Sequence, residues 1–237
     1  MKSSPEYLLI SDIVTRLHGS TSSERKQLFA RIDETLDTLS GSSLAETLCL
    51  TADEALSSGM VTYALEKARR GLRMAVKLKL GTLRHRLHIT MAAASSMAGA
   101  SSKAHEHINF ARKLSRFGTK KSLQRMALVH ANLMRREGSF NEAMKLLSEA
   151  LRANGTTNPI NRYYLVESYA LLYATFGFTQ RAMSLAARAT QLAEDQLHIK
   201  GMIRANFLIA KVAFRTGSLA TADRHLQLAR SIADRHG

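Results

Sequence analysis

Few residues in this chain have the types and spacing that chemistry requires. His85 and His88 stand three residues apart, which places both imidazoles on one face of a helix. His105 and His107 are two apart and point to different sides. Neither pair has cysteine, histidine or carboxylate companions at metal-ligand spacing, so the histidines read as structural or solvated and no metal is expected. The single cysteine, Cys49, lies in an apolar helical stretch and reads as core packing. There is no phosphate-cradling glycine loop, no nucleophile elbow and no paired-carboxylate signature. An enzyme is therefore not expected, and no cofactor is expected either.

The remaining chemistry is cationic. The formal net charge is +15, from 34 Lys/Arg against 19 Asp/Glu. Residues 1–60 carry five basic against nine acidic residues, and residues 61–140 carry seventeen against three. Residues 141–180 balance at three each, and residues 181–237 carry nine against four. Such a field attracts anionic partners. Arg69, Arg70, Arg73 and Lys77 recur at helical spacing, as do Arg112, Lys113 and Arg116, followed by Lys120 and Lys121. These residues could contact phosphates of nucleic acid or another polyanion. The alternative is a solvated face that keeps the protein soluble. Little aromatic interleaving accompanies them, so stacking on single-stranded bases is not indicated.

The elements that position these side chains are set by a repeat. Gly59, Gly99, Gly138, Gly177 and Gly217 recur at intervals of 40, 39, 39 and 40 residues. Seven residues before each stands Ala52, Ala92, Ala131, Ala170 or Ala210. Five after stands Ala64, Ala104, Ala143, Ala182 or Ala222, and twelve after stands Gly71, Ala111, Ala150, Ala189 or Ala229. A fixed period of this length means stacked helical hairpins, each a helix A, a turn at the glycine and a helix B. The small residues mark close helix crossings. The spacing predicts five units, at about 43–81, 82–120, 121–158, 159–200 and 201–237. Capping signals place Ser43–Glu46 at the start of the first unit, with Ser101 or Ser102, Ser139, Thr179 and Ser218 after the glycines. Two further helices, about 5–18 and 22–39, lie outside the repeat phase. They read as an N-terminal cap, residues 1–42, over the apolar side of the first unit. Arg73, Lys113 and Arg152 share the position fourteen after the glycine, so stacking would align them as a ridge.

The run from Gly138 through Phe140, Ala143, Leu147 and Ala150 to Leu151, with Ala131 before it, resembles the core of the tetratricopeptide repeat. The resemblance covers about 43–237. With a period of 39–40 it is similar to the lengthened repeats of bacterial signalling and transcription regulators of the maltose-activator type. The resemblance implies an all-α, right-handed α-solenoid whose A helices line a concave groove for a peptide or partner helix. Carried over by position, the groove would expose Arg86, Arg125 and Arg204 near the starts of A helices. Asn132, Arg135 and Arg136 lie farther along the third, Tyr164 and Leu171 on the fourth, and Lys211 and Arg215 on the fifth. An asparagine at the place of Asn132 holds peptide backbone in this family, and neighbouring arginines would pair a carboxylate.

The function expected is therefore a protein-interaction module, a scaffold or sensor in signalling or transcription regulation, recognising an acidic segment. The alternative is polyanion binding through the basic surface of residues 61–136. Leu226, Leu228 and Ile232 would leave an apolar flank partly open after the last hairpin. It reads as the junction to a longer chain, as a homodimer surface, or as a tolerated patch. The weak N-terminal signal and lone cysteine point to the cytoplasm.

Overall fold

A computed structural model describes residues 12–13, 22–154 and 159–236. The expected helix at 5–18 lies outside the described residues except for Asp12 and Ile13. Among the described residues there are eleven α-helices and no strand. Helix α1 (Ser22–Leu36) precedes five hairpins: α2 (Gly41–Ser57) with α3 (Val61–Lys77), α4 (Gly81–Met97) with α5 (Ser101–Lys113), α6 (Lys120–Arg136) with α7 (Phe140–Asn154), α8 (Pro159–Thr175) with α9 (Thr179–Asp195), and α10 (Ile199–Arg215) with α11 (Leu219–His236). The chain divides into two compact units, Met1–Val129 and His130–Gly237. Each is a stack of antiparallel helical hairpins.

The phased glycines close the hairpins for a backbone reason. Each has φ between 78° and 84°, a left-handed conformation that costs a side-chain-bearing residue free energy. The amide after each glycine donates to the carbonyl five residues back. The pairs are Met60 to Ala55, Ala100 to Ser95, Ser139 to Met134, Phe178 to Tyr173 and Ser218 to Ala213, all at 2.9 Å. This is the Schellman closure, which satisfies carbonyls that a helix end leaves without partners. The closure runs directly into the next helix; Ser139 and Ser218 stand immediately before α7 and α11 as expected, whereas the caps expected at Ser101 or Ser102 and at Thr179 are corrected. The N-cap positions of α5 and α9 are Ala100 and Phe178, without a side-chain cap bond. Ser101 and Thr179 are already helical. Likewise α2 begins behind Ser40, ahead of the expected box at Ser43, and Ser40 makes no side-chain cap bond.

The same closure joins hairpins without glycine. Lys79 (φ 55°) and Leu197 (φ 49°) take the left-handed place, with Leu80 donating to Ala75 and His198 to Ala193 at 2.8 Å. Leu197 is also 81% exposed, so its side chain gives little in return. Leu197→Gly is expected to raise stability by about 0.5–1 kcal/mol, the relief of strain less the added freedom of the unfolded chain. A rise in urea midpoint at unchanged slope would show it.

All fourteen phased alanines are buried. Ala182 and Ala186 of α9 pack with Ala170 and Ala174 of α8 and with Leu208, Ile209 and Val212 of α10. In the first unit Ala52 of α2 and Ala68 of α3 pack with Leu83, Leu87 and Met91 of α4. Gly71, the one departure among the fifteen positions, faces a close crossing. A Cβ there would lie 3.2 Å from Leu48 Cβ and 3.3 Å from Leu87 Cδ2. Helix α1 covers the first hairpin, with Leu28, Phe29, Ile32 and Leu36 clustered on Leu44, Leu48 and Leu56.

Candidate binding face

The A helices carry two kinds of arginine. The first kind is locked between successive A helices. In the first unit Asp53 of α2 accepts from Arg86 Nη2 of α4 at 3.2 Å, from Arg125 Nη1 of α6 at 2.8 Å, and from the Thr90 hydroxyl. Burial raises the Asp53 carboxyl, but Arg125, Thr90 and Arg86 together outweigh it, and the net direction is down. This group therefore stabilises the fold above the ordinary carboxylate range, and the contribution is lost as pH falls through its folded pKa.

In the second unit Glu167 of α8 accepts from Arg204 of α10 along one guanidinium edge, Nε to Oε1 at 2.8 Å and Nη2 to Oε2 at 2.9 Å, and from Tyr163 Oη at 3.0 Å. Burial is the largest influence on Glu167. It lifts this carboxyl above its usual range against the pull of Arg204 and Tyr163. The planar fork suits Arg204 to the task, since two parallel bonds fix one helix against the next.

Arg86, Arg125 and Arg204 thus do not stand free for a partner, although the Arg204 side chain is 56% exposed. Each is taken up by a carboxylate from an earlier A helix. Tyr164 is similarly engaged, its ring edge-on to Tyr163 and His198 and its hydroxyl 3.3 Å from His198 Nε2.

The second kind of arginine meets no carboxylate. Arg135 of α6 donates from Nη1 to Thr175 Oγ1 at 2.9 Å and from Nε to Asn132 Oδ1 at 3.4 Å. Arg215 of α10 donates from Nη1 to the Ala174 carbonyl at 2.8 Å. Ala174 and Thr175 are the last two residues of α8, where the helix ends in partial negative charge. Two guanidinium groups, one from the helix before and one from the helix after, therefore converge on one helix C-terminus. Burial, and then the neighbouring Arg136, pull the Arg135 guanidinium below its ordinary range. Among the described residues no carboxylate forms an ion pair with Arg135, Lys211 or Arg215. Asn132, Leu171 and Lys211 lie one helical turn nearer the N-termini of the same three helices, so they form a second row beside the first. Leu171 is half-buried, and Arg136 and Lys211 are exposed. The face can accept carboxylates through guanidinium and ammonium donors beside a small apolar step.

The basic residues of the B helices behave differently. Arg70 pairs with Asp37 at 3.4 Å. Arg69, Arg73, Lys77, Arg112, Lys120 and Lys121 are exposed, and Arg69, Leu72, Arg73 and Val76 line a shallow open trough. Lys113 lies 5.8 Å over the Phe110 ring and Arg116 lies 4.7 Å over Phe117. Arg152, in the second unit, is exposed and donates to the Ser148 carbonyl at 3.4 Å. His88 and His107 face each other, Nδ1 to Nδ1, at 3.3 Å, and burial with His107 pushes His88 down to about 4. His85 is buried, with Nδ1 3.2 Å from Ser122 Oγ. Cys49 is buried, and burial with Asp53 pushes its thiol up to about 12. Among the described residues no group of three or more His, Cys, Asp or Glu could hold a metal ion.

Sequence reasoning passed over Asp53 and Glu167, isolated acids on otherwise apolar helix faces. The available signal was an acid on the A helix before the arginine's own: Asp53, 33 residues before Arg86, and Glu167, 37 before Arg204. It also passed over Phe207 and Phe214 of α10, which are exposed.

Stacked helical hairpins with a polar row along their first helices define the class, an all-α helical-hairpin solenoid. The crystal structure of BtubC (BKLC) from P. vanneervenii is similar in fold, with a TM-score of 0.56 at 17% identity over 97% of this chain and 90% of that one. No protein-family model and no characterised protein matches the chain. Among the described residues no helix is long and apolar enough to cross a membrane.

Proposed function

We propose that the protein is an interaction module of tetratricopeptide type that binds an acidic protein segment on the A-helix face of its second unit. One observation carries this reading: Arg135 and Arg215 converge on the C-terminus of α8 with neutral partners only. Elsewhere in the A helices, Arg86, Arg125 and Arg204 each have a carboxylate supplied from within the chain. Arg135 is half-buried, and at such a cation a partner's carboxylate gains more than at an exposed one, because water screens it less. Asn132 can hold backbone beside that carboxylate, and Leu171 offers it an apolar neighbour. A role in bacterial signalling or transcription regulation is drawn from the resemblance of the lengthened repeats, and a cytoplasmic location from the weak N-terminal signal and the lone cysteine.

The test is capture from the native cell at moderate salt by wild type, by Asn132→Ala with Arg135→Ala, and by Arg69→Glu with Arg73→Glu. The expected result is an acidic protein retained by wild type and by the second variant and lost with the first. A second reading, polyanion binding, draws on the exposed cations of α3 and α5 and on the exposed Phe110 and Phe117 rings beneath Lys113 and Arg116. On that reading nucleic acid is recovered, its affinity falls log-linearly with salt, and the Arg69/Arg73 variant abolishes it.

A further inference from the structure

The densest run of unanswered charge lies in the first unit, where the chain passes from one hairpin to the next. From Lys67 to Lys121 there are fourteen Lys/Arg and one acid, Glu106. Two connections fall in this span. At the end of α3, Val76, Lys77, Leu78 and Lys79 are all exposed, Val76 at 51% and Leu78 at 37%. Between α5 and α6, a single 3-10 turn at Ser115–Phe117 leaves Arg116 and Phe117 exposed. Lys113 before it and Lys120 and Lys121 after it are exposed as well. The two connections touch. The Phe117 ring lies on Gly81, where a Cβ would come within 2.6 Å of it. They therefore form one patch, in which exposed cations surround Val76, Leu78 and Phe117. Among the described residues none of these cations forms an ion pair.

The mixture of side chains selects the partner. Cations alone would suit any polyanion. Val76 and Leu78, however, have no hydrogen-bonding group and no ring to stack on a base, so they gain nothing against nucleic acid. An anionic bilayer rewards both kinds of residue. Lysines meet the headgroups, while their stems and the aliphatic side chains beside them enter the interface. All but Arg116 of the patch's cations are lysines, point charges that need no fixed partner geometry. A cluster of about four to eight Lys/Arg is the kind that anionic lipid attracts. We infer that this patch docks the first unit on the surface of an anionic lipid bilayer, with Val76, Leu78 and Phe117 in the interface. It shares Lys113, Arg116 and Phe117 with the polyanion reading but has a different partner. It uses neither Arg135 nor Arg215 and stands apart from the reading of the A-helix face.

The probes are vesicles of equal parts phosphatidylcholine and phosphatidylserine, and vesicles of phosphatidylcholine alone. In flotation at physiological salt the full chain should rise with the first and not with the second. Lys77→Gln with Lys79→Gln should weaken binding about thirtyfold, the loss of two cations at a charged surface. Val76→Ser with Leu78→Ser keeps every charge and should weaken it by about tenfold, through lost apolar burial. All four side chains are exposed, so circular dichroism of both variants should match wild type. An environment-sensitive dye on Leu78→Cys should shift to the blue on the anionic vesicles, and the native Cys49, being buried, stays unlabelled. Asn132→Ala with Arg135→Ala should float like wild type, so this inference and the A-helix reading fail separately. The inference is overturned if wild type does not float with the anionic vesicles, or if Val76→Ser with Leu78→Ser binds them like wild type. It is equally overturned if the chain holds duplex nucleic acid more tightly than these vesicles and the Lys77/Lys79 variant loses it, since the patch would then belong to the polyanion reading.

Discussion

Ala182→Leu is expected to destabilise the second unit by about 2–3 kcal/mol. Ala182 is fully buried and sits in a cluster with Ala170 and Ala174 of α8 and Leu208, Ile209 and Val212 of α10. A leucine adds three carbons where three helices already touch, and the helices must separate or the side chain must leave its rotamer wells. Ala187, on the exposed side of α9, supplies the control. Ala187→Leu should change stability by no more than about 0.5 kcal/mol. Urea unfolding of both variants decides the matter. Equal stability of the two would mean that the phased alanines do not mark helix crossings.

Arg204→Ala is expected to cost about 2 kcal/mol near neutrality, less than the usual figure for a broken buried pair because the guanidinium is half exposed and screened by water. What remains is Glu167, buried with Tyr163 as its partner. Burial already lifts this carboxyl, and without Arg204 it rises further. A carboxyl whose folded pKa is raised gives its full contribution below its unfolded pKa and loses it as pH rises through the folded one. The gap between variant and wild type should therefore open toward neutrality and close below about pH 4. Adding Glu167→Gln should restore most of the lost stability near neutrality, since a neutral amide tolerates burial. A gap independent of pH, with no rescue by the amide, would show that Arg204 acts by packing alone.

The parts of the fold visible in the sequence are those with a steric cause repeated in register. Gly59, Gly99, Gly138, Gly177 and Gly217 each need a left-handed backbone, and the alanines around them each need a missing side chain. Single residues therefore announced the hairpins. Gly71 fits the same logic, because a methyl there would press on Leu48 and Leu87 at 3.2–3.3 Å. The caps were visible only in part. Ser101 and Thr179 have the right chemistry for capping, yet the backbone closure at Gly99 and Gly177 reaches the next helix first. The site was visible only in part, because an arginine's type does not reveal its partner. Arg86, Arg125 and Arg204 look like Arg135 and Arg215 in the sequence, and only packing brings Asp53 and Glu167 to the first three. Phe207 and Phe214 were not singled out in the sequence. Their exposure follows from what covers α10, which periodicity within one helix does not report.

The central claim is that the second unit binds an acidic segment through Arg135 and Arg215. The most direct measurement is a binding isotherm between the purified chain and the protein recovered by capture, repeated with Arg135→Glu and Arg215→Glu together. The account predicts a loss of about a hundredfold for this double reversal, as for charge reversal at a partly desolvated site, with Arg69→Glu and Arg73→Glu binding like wild type. Wild-type affinity in the double reversal, or loss of binding in the Arg69/Arg73 variant alone, would contradict it.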